Sequence, residues 1–310
     1  MRNAPASLKR NIPRAILAIS VLAGLLPALT SAASAMAAVG NPATGGRTPP
    51  GSVTLCAPGQ HIRVNGPWGH YVIKNNDFYP RAAPQCITHH RSGPNFAVTT
   101  SRANARGAES DAYPNIFSGC SWGTCSGQSA LPAPLFSLHQ PWVSWYARLR
   151  PHGKWDANLD IWLSPAAQVR GQVTGAEVMI WMSARGFGHP QTTTRIDRIG
   201  WHLAHWTTRS LSQPRVTWPL IIFRAAHARR YLRRLALMPF FRDLLRLHLI
   251  RHGYWLDSLH AGFEIWTGGY GLSTLWFRED AGQRRRARSA APMRPASLPS
   301  SASLIRAGLR

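Results

Sequence analysis

Acidic residues are scarce in this chain. Asp and Glu together number 12 among 310 residues, against 36 Lys and Arg, which gives a formal net charge of +24. Clustered cations attract nucleic acids, but four of these cations lie in the first 37 residues and seven follow Glu279, including the run 284–288. The one comparable block between them is 229–234. This distribution predicts a solvated basic surface, or loose adhesion to acidic cell-wall polymers, rather than a nucleic-acid partner.

Long apolar runs are also few. The run from Ala15 to Leu29 follows a basic start and precedes a stretch of small residues. It is shorter than the ~20 residues that a membrane-spanning helix needs, and the order of the three parts is typical of a secretory signal. We therefore expect residues 1–37 to be removed and the mature chain to begin near Ala38. The mature protein is expected to be secreted, extracellular or periplasmic, without a membrane anchor.

Cysteine is rare too, with four residues: Cys56, Cys86, Cys120 and Cys125. An even number in an exported chain favours disulfides over free thiols, and three pairings are possible. The spacings match no common structural zinc pattern, and no histidine pair lies at the spacing from them that such sites use. The cysteines therefore predict disulfide bonds rather than a zinc site.

Short apolar-alternating runs, separated by clusters of Gly, Pro, Asn and Ser, occupy residues 53–280. Their spacing predicts one all-β sandwich domain. One segment is typical of a helix; it begins near Pro239 and extends to Gly253. Residues 38–52 have the composition of a flexible lead-in, and the Arg-, Ala-, Ser- and Pro-rich residues 281–310 have that of a disordered basic tail.

Three of the scarce acids lie where surface carboxylates rarely occur. Glu177 and Glu264 interrupt apolar, strand-like runs, and so does Asp160. Successive side chains of a strand point to opposite faces. Each acid therefore shares a face with a tryptophan two or four positions away, while aliphatic residues occupy the other face. Three strands thus present a carboxylate and an indole on one side.

A face of this kind suits a polysaccharide. In a two-sheet sandwich the aliphatic faces pack into the core, which leaves the carboxylates and indoles on the outer face of one sheet. Indole rings stack on sugar rings, and two carboxylates flanking a glycosidic bond supply a nucleophile and a general acid. The alternative is that each acid is merely exposed on an amphipathic strand. Three such strands in so acid-poor a chain favour a catalytic site.

These runs resemble glycoside hydrolase family 12, the small secreted endoglucanases also known as cellulase family H. Segments 177–181 and 262–266 are similar to the nucleophile and acid/base strands of that family, and 158–162 is similar to the strand that carries its aspartate. Residues 113–126 are similar to its TyrPro and GlyCys-x-TrpGly-x-Cys segment. The resemblance implies a concanavalin-like jelly-roll sandwich of two antiparallel sheets with one packed α-helix.

The resemblance also implies roles for individual residues. Glu177 would attack the anomeric carbon, and Glu264 would first protonate the leaving oxygen and then activate water, with retention of configuration. Asp160 would adjust the proton affinity of Glu177. The implied disulfide pairs are Cys56–Cys86 and Cys120–Cys125. The residues expected to bind substrate are Asn76, Phe78, Trp122, Met179, Trp181, Pro190 and Trp266.

Two departures from the family pattern concern substrate binding. Phe78 stands where relatives usually carry a tryptophan, and Ser121 stands where they usually carry a histidine. We expect a monomeric endo-β-1,4-glucanase that uses no metal or other cofactor and binds neither nucleic acid nor membranes. The alternatives are a xyloglucan-specific hydrolase and a β-glucan-binding jelly roll that has lost turnover. The GlyCys-x-TrpGly-x-Cys segment disfavours a xylanase of the related clan.

Overall fold

The computed structural model of the chain describes residues 51–66, 69–80, 82–90, 93–107, 109–150, 152–171, 174–187, 196–207 and 218–281. The predicted signal peptide, most of the predicted lead-in and nearly all of the predicted tail lie outside the described residues. Within the described ranges, no helix has the length and apolar character needed to cross a bilayer.

The described chain is mostly β-structure. The strands before residue 140 are β1 Ser52–Leu55, β2 His61–Gly66, β3 Gly69–Lys74, β4 Gln85–His90, β5 Phe96–Ser101, β6 Ala103–Asn104, β7 Asn115–Ser121, β8 Thr124–Cys125 and β9 Ala133–Pro134. The later strands are β10 Trp142–Arg148, β11 Lys154–Ser164, β12 Ala176–Arg185, β13 Ile196–Ile199, β14 His202–Thr207, β15 Leu220–Ala225, β16 Tyr231–Ala236, β17 Trp255–Gly268 and β18 Ser273–Asp280.

These strands form two large sheets. The smaller has the order β1-β4-β5-β18-β10-β16. The larger has the order β13-β14-β15-β12-β11-β17-β7-β3-β2, with β6 and β9 paired to β17 and β8 paired to β7. The described pairings are antiparallel except for β12 with β15, which run parallel. The predicted all-β jelly-roll sandwich is confirmed.

The inner faces of the two sheets supply the core. Ile161 of β11 and Ile180 of β12 are fully buried, as the alternation of their strands requires. Phe263 of β17 reaches across to the smaller sheet, where its ring lies 5.6 Å from that of Trp145 and 6.1 Å from that of Phe96. Because the apolar alternate residues face inward, their polar neighbours on the larger sheet are directed outward.

The described residues contain one α-helix, α1, which spans Met238–Arg246 and packs against the core through Phe240, Phe241 and Leu244. Pro239 lies in its first turn, as predicted, because that position needs no backbone N–H. The helix ends earlier than the predicted Gly253. His248 adopts a φ of 57°, a left-handed conformation that cannot continue a right-handed helix. A 3₁₀ turn also occurs at Leu135–Ser137.

Two disulfides are present. Cys56–Cys86 ties the segment after β1 to β4, and Cys120–Cys125 closes the β7–β8 hairpin. The pairing implied by the family resemblance is therefore confirmed.

Candidate active site

The central strands β12, β11 and β17 carry the predicted acids on the outer face of the larger sheet. The register pairs Glu177 with Trp162 across β12 and β11, and Glu264 with Asp156 across β11 and β17. Directly paired residues in antiparallel strands point to the same face. The two glutamates therefore flank the β11 strand at different heights, with Asp160 between them along its length.

Glu177 is held by a segment far away in sequence. Its Oε2 atom accepts a hydrogen bond of 3.0 Å from the indole Nε1 of Trp218, and its backbone N–H donates to the Pro219 carbonyl at 3.0 Å. Both partners immediately precede β15, which runs parallel to β12. The sequence prediction missed Trp218, because only the parallel pairing brings it beside Glu177.

Glu264 lies against a second, buried acid. Asp156 is paired in register with Glu264, and Asn158 donates a hydrogen bond to the Oδ1 atom of Asp156. Ser110 also donates to Glu264 Oε1, at 3.3 Å. Burial and the charge of Glu264 raise the pKa of Asp156, so the protonated form of this acid is favoured. Asp156 was not predicted, although it continues the same alternation two residues before Asn158.

The space between the two glutamates has a polar floor. Trp162 Nε1 donates to Asp160 Oδ2 at 2.8 Å, and Tyr113 OH donates to Asn158 Oδ1 at 3.0 Å. Gly262 gives Tyr113 room, because a Cβ at this position would lie 2.9 Å from the tyrosine ring. Asp160 and Asn158 are buried, whereas Glu177 and Glu264 are partly exposed. The glutamates are thus the acids that a bound substrate can reach.

Desolvation dominates the electrostatics of the site. It raises the pKa of Glu177 to about 7, with a further rise from the charge of Glu264 and an opposing effect of the Trp218 hydrogen bond. It also raises the pKa of Glu264, and it raises the pKa values of Asp156 and Asp160 well above their ordinary range. Glu177 is therefore only partly ionised near neutral pH. One glutamate can be ionised while the other carries a proton.

We expect Trp218→Phe to move the acid limb of the activity profile to higher pH. The Nε1 donor stabilises the Glu177 carboxylate, so its loss raises the pKa of Glu177 further. A hydrogen bond to a charged group is worth enough to shift the limb by about one pH unit. The pH dependence of kcat/KM on a soluble β-glucan measures this. Trp276→Phe, on the smaller sheet, is the matched control. An acid limb that stays at the wild-type pH in Trp218→Phe would contradict the conclusion that the Trp218 hydrogen bond lowers the pKa of Glu177.

A cluster of aromatic residues lies at one side of the glutamates. The Phe187 ring lies 5.0 Å from Trp181 and 4.9 Å from Trp266, and the Lys154 ammonium lies 5.0 Å from Phe187 and 5.2 Å from Trp266. Met179 packs beside Trp181. The structure thus brings three of the predicted substrate-binding residues together. Phe187 and Lys154 lie in the same cluster and were not predicted from the sequence.

The other predicted substrate-binding residues are more dispersed. Trp122 is 41% exposed and stands edge-on to Trp162, with ring centroids 4.7 Å apart. Phe78 is 46% exposed, and Asn76 is partly buried in the segment after β3. Pro190 lies outside the described residues. The roles of these residues in substrate binding stay predictions.

A histidine on the same face is held neutral. The His260 ring stacks on Phe117 at 4.5 Å, and its Nε2 atom lies 2.9 Å from Ser258 Oγ. Desolvation, and to a lesser extent the charge of Lys74, lowers the pKa of His260 to about 3. It is therefore uncharged at neutral pH. Among the described residues, no group of three or more His, Cys, Asp and Glu side chains is arranged to hold a metal ion.

Solved structures with a similar fold are glycoside hydrolases. A metagenome-derived glycoside hydrolase family 12 endoglucanase is 27% identical, with a TM-score of 0.65, over 74% of this chain and 97% of the other. An endoglucanase from Rhodothermus marinus is 28% identical, with a TM-score of 0.64, over 73% of this chain and 97% of the other. No protein-family model and no curated protein sequence matches the chain.

A family 12 xyloglucanase from Bacillus licheniformis shares the fold at 17% identity, with a TM-score of 0.63 over 74% of this chain and 99% of the other. The predicted resemblance to glycoside hydrolase family 12 is therefore confirmed.

Proposed function

We propose that this chain, which has the glycoside hydrolase family 12 fold, is a retaining endo-β-1,4-glucanase that hydrolyses internal bonds of cellulose or related β-glucans. The observation that carries the proposal is the pair of partly exposed glutamates above a buried polar floor. Glu177 and Glu264 are the acids within reach of substrate, and their charges raise the pKa values of the buried Asp160 and Asp156 of the adjacent strand.

The proposed reaction is a double displacement. The Glu177 carboxylate attacks the anomeric carbon while Glu264 gives its proton to the departing glycosidic oxygen, which forms a glycosyl-enzyme ester. Glu264, now ionised, removes a proton from water as the water attacks the same carbon, and the ester bond to Glu177 breaks. Trp218 holds the nucleophile in position, and Asp160 raises its proton affinity when ionised. Phe187, the partly exposed ring of the aromatic cluster, supplies stacking surface for a sugar ring, and the buried Trp181 and Trp266 support it.

Two other functions compete with this one. A xyloglucan-specific hydrolase is possible on this fold, since xyloglucanases share it, but their sequence identity to this chain is lower than that of the endoglucanases. A β-glucan-binding protein without turnover would account for the departures at Phe78 and Ser121. The intact glutamates and their buried partners favour the endoglucanase.

The proposal predicts reducing ends from carboxymethylcellulose and mixed-linkage β-glucan, released faster than from xyloglucan. Proton NMR of a fresh digest should show the β-anomer of the new reducing end first, because two inversions restore the configuration. Initial appearance of the α-anomer would contradict the retaining mechanism. Binding of these glucans without any release of reducing ends would favour the binding protein.

We also propose that the enzyme works outside the cell. The basic start, apolar run and small residues of the first 37 positions support removal of a signal near Ala38. The two disulfides support an oxidising compartment. Residues 53–280 would then form the catalytic domain, monomeric and free of membranes.

A further inference from the structure

A cavity of about 460 Å³ lies at the smaller sheet, where β10 ends and β16 begins. Its walls include Arg148, Arg150, Arg229, Arg230 and Tyr146, and we name it the arginine cavity. Its volume is within the ~300–1,000 Å³ typical of ligand sites. None of its described lining residues is acidic. Hydrolysis at the glutamates makes no use of this cavity.

The four arginines have no carboxylate partner among the described residues. The guanidinium of Arg229 instead stacks over the Trp201 ring at 4.1 Å, and Arg150 Nε donates to the Gly271 carbonyl at 3.1 Å. Stacking occupies the flat face of a guanidinium and leaves its in-plane N–H donors free for an acceptor. Four like charges gathered without a counter-charge repel one another, and an anion would relieve that repulsion.

Two exposed tyrosines adjoin the arginines. Tyr146 and Tyr231 are paired in register across β10 and β16, and their rings meet edge-on at 5.8 Å. They are 41% and 46% exposed. An aromatic ring next to guanidinium groups offers an apolar surface for a sugar ring beside donors for a carboxylate.

The same face continues along β10 to Trp142. The guanidinium groups of Arg234 and Arg278 lie over its ring at 4.3 and 5.0 Å. Asp280 is paired in register with Trp142, so the acidic residue of this face lies at the end away from the arginine cavity. The cavity therefore belongs to a basic, aromatic-rich surface and lies at its end away from Asp280.

We propose that the arginine cavity binds a carboxylate-bearing polysaccharide, at a site separate from the glutamates. Guanidinium groups bind carboxylates through two parallel hydrogen bonds, and the tyrosine pair gives the pyranose ring a surface. A nucleic acid would also be attracted by arginines, but beyond the cavity Arg234 and Arg278 are engaged over the Trp142 ring and Asp280 interrupts the basic face. A local concavity of this size fits a few sugar rings instead. The site would hold the protein on acidic wall polymer while its other face meets neutral glucan.

The test is titration of the full chain with hexagalacturonate by isothermal calorimetry at fixed salt. Arg148→Gln/Arg230→Gln should weaken binding by about 30-fold or more, because two charge-assisted contacts are lost. The matched control is Arg242→Gln/Arg251→Gln, which removes the same charge from exposed positions outside the cavity. It should change binding less than about threefold, since exposed charges act weakly at a distance. Both variants should unfold at the wild-type temperature.

Three results would overturn the proposal. One is absence of hexagalacturonate binding by the wild type. The second is equal weakening in both double variants, which would indicate diffuse charge. The third is that the wild type binds a single-stranded oligonucleotide more tightly than hexagalacturonate and that Arg148→Gln/Arg230→Gln loses this oligonucleotide binding. That result would assign the cavity to nucleic acid. Hydrolysis of neutral β-glucan is measured separately, so its failure would leave the cavity result intact.

Discussion

Glu177→Gln should lose hydrolysis of every β-glucan and every aryl β-glycoside. An amide is a poor nucleophile and cannot form the glycosyl-enzyme ester, whatever the leaving group. Removal of the nucleophile in covalent enzymes costs on the order of 10⁴-fold or more in kcat. Glutamine keeps the size of the side chain, and its carbonyl oxygen can still accept the hydrogen bond from Trp218. The change therefore removes charge and nucleophilicity while leaving the packing in place.

Initial rates on mixed-linkage glucan and on a dinitrophenyl cellobioside measure this loss. Glu109→Gln is the matched control, because Glu109 is an exposed glutamate bound to Tyr79 and should behave like wild type. Retention of more than about a tenth of the wild-type rate on either substrate would exclude Glu177 as the nucleophile.

Glu264→Gln should show a loss that depends on the leaving group. Cleavage of a glucan needs a proton on the departing oxygen, and general acid catalysis contributes about 10²–10⁴-fold. A dinitrophenolate leaves without that proton, so the first step with the dinitrophenyl cellobioside should stay fast. The second step lacks its base, and the glycosyl-enzyme should accumulate. A burst of dinitrophenolate followed by slow turnover is the expected result.

Azide should then restore turnover in Glu264→Gln, because this anion attacks the glycosyl-enzyme without needing a base. The product would be a β-glycosyl azide, identifiable by mass spectrometry and NMR. Equal losses for glucan and for dinitrophenyl cellobioside, with no effect of azide, would indicate a structural role for Glu264. The same loss in the Glu109→Gln control would point to a change unrelated to proton transfer.

The sequence was sufficient to predict which side chains of the central strands face outward. In a strand with one buried face, apolar and polar residues alternate with a period of two. Glu177, Asp160 and Glu264 each stand among residues that the core requires, so the alternation alone puts them on one surface. Asp156 obeys the same rule. Asp156 lies four residues before Asp160, but the run that contains it is less apolar, so the alternation is weaker there.

Other parts of the candidate site depend on long-range geometry. Trp218 lies 41 residues from Glu177 and reaches it through a parallel strand pairing that no local pattern reveals. Phe187 lies beyond the end of β12 and meets Trp266 only because β11 holds β12 and β17 on its two sides. The arginine block at 229–234 was visible in the sequence, but its grouping with Arg148 and Arg150 follows from the sheet order.

The alternation of β17 also makes the position of Glu264 depend on the packing of the core. A slip of one residue in the pairing of β11 with β17 would turn Glu264 inward and Phe263 outward. Phe263, wedged against Trp145 and Phe96, opposes that slip. Substitutions that shrink this buried aromatic group could therefore inactivate the protein while leaving every cleft residue unchanged. Selection for catalysis would then act on residues that no substrate touches.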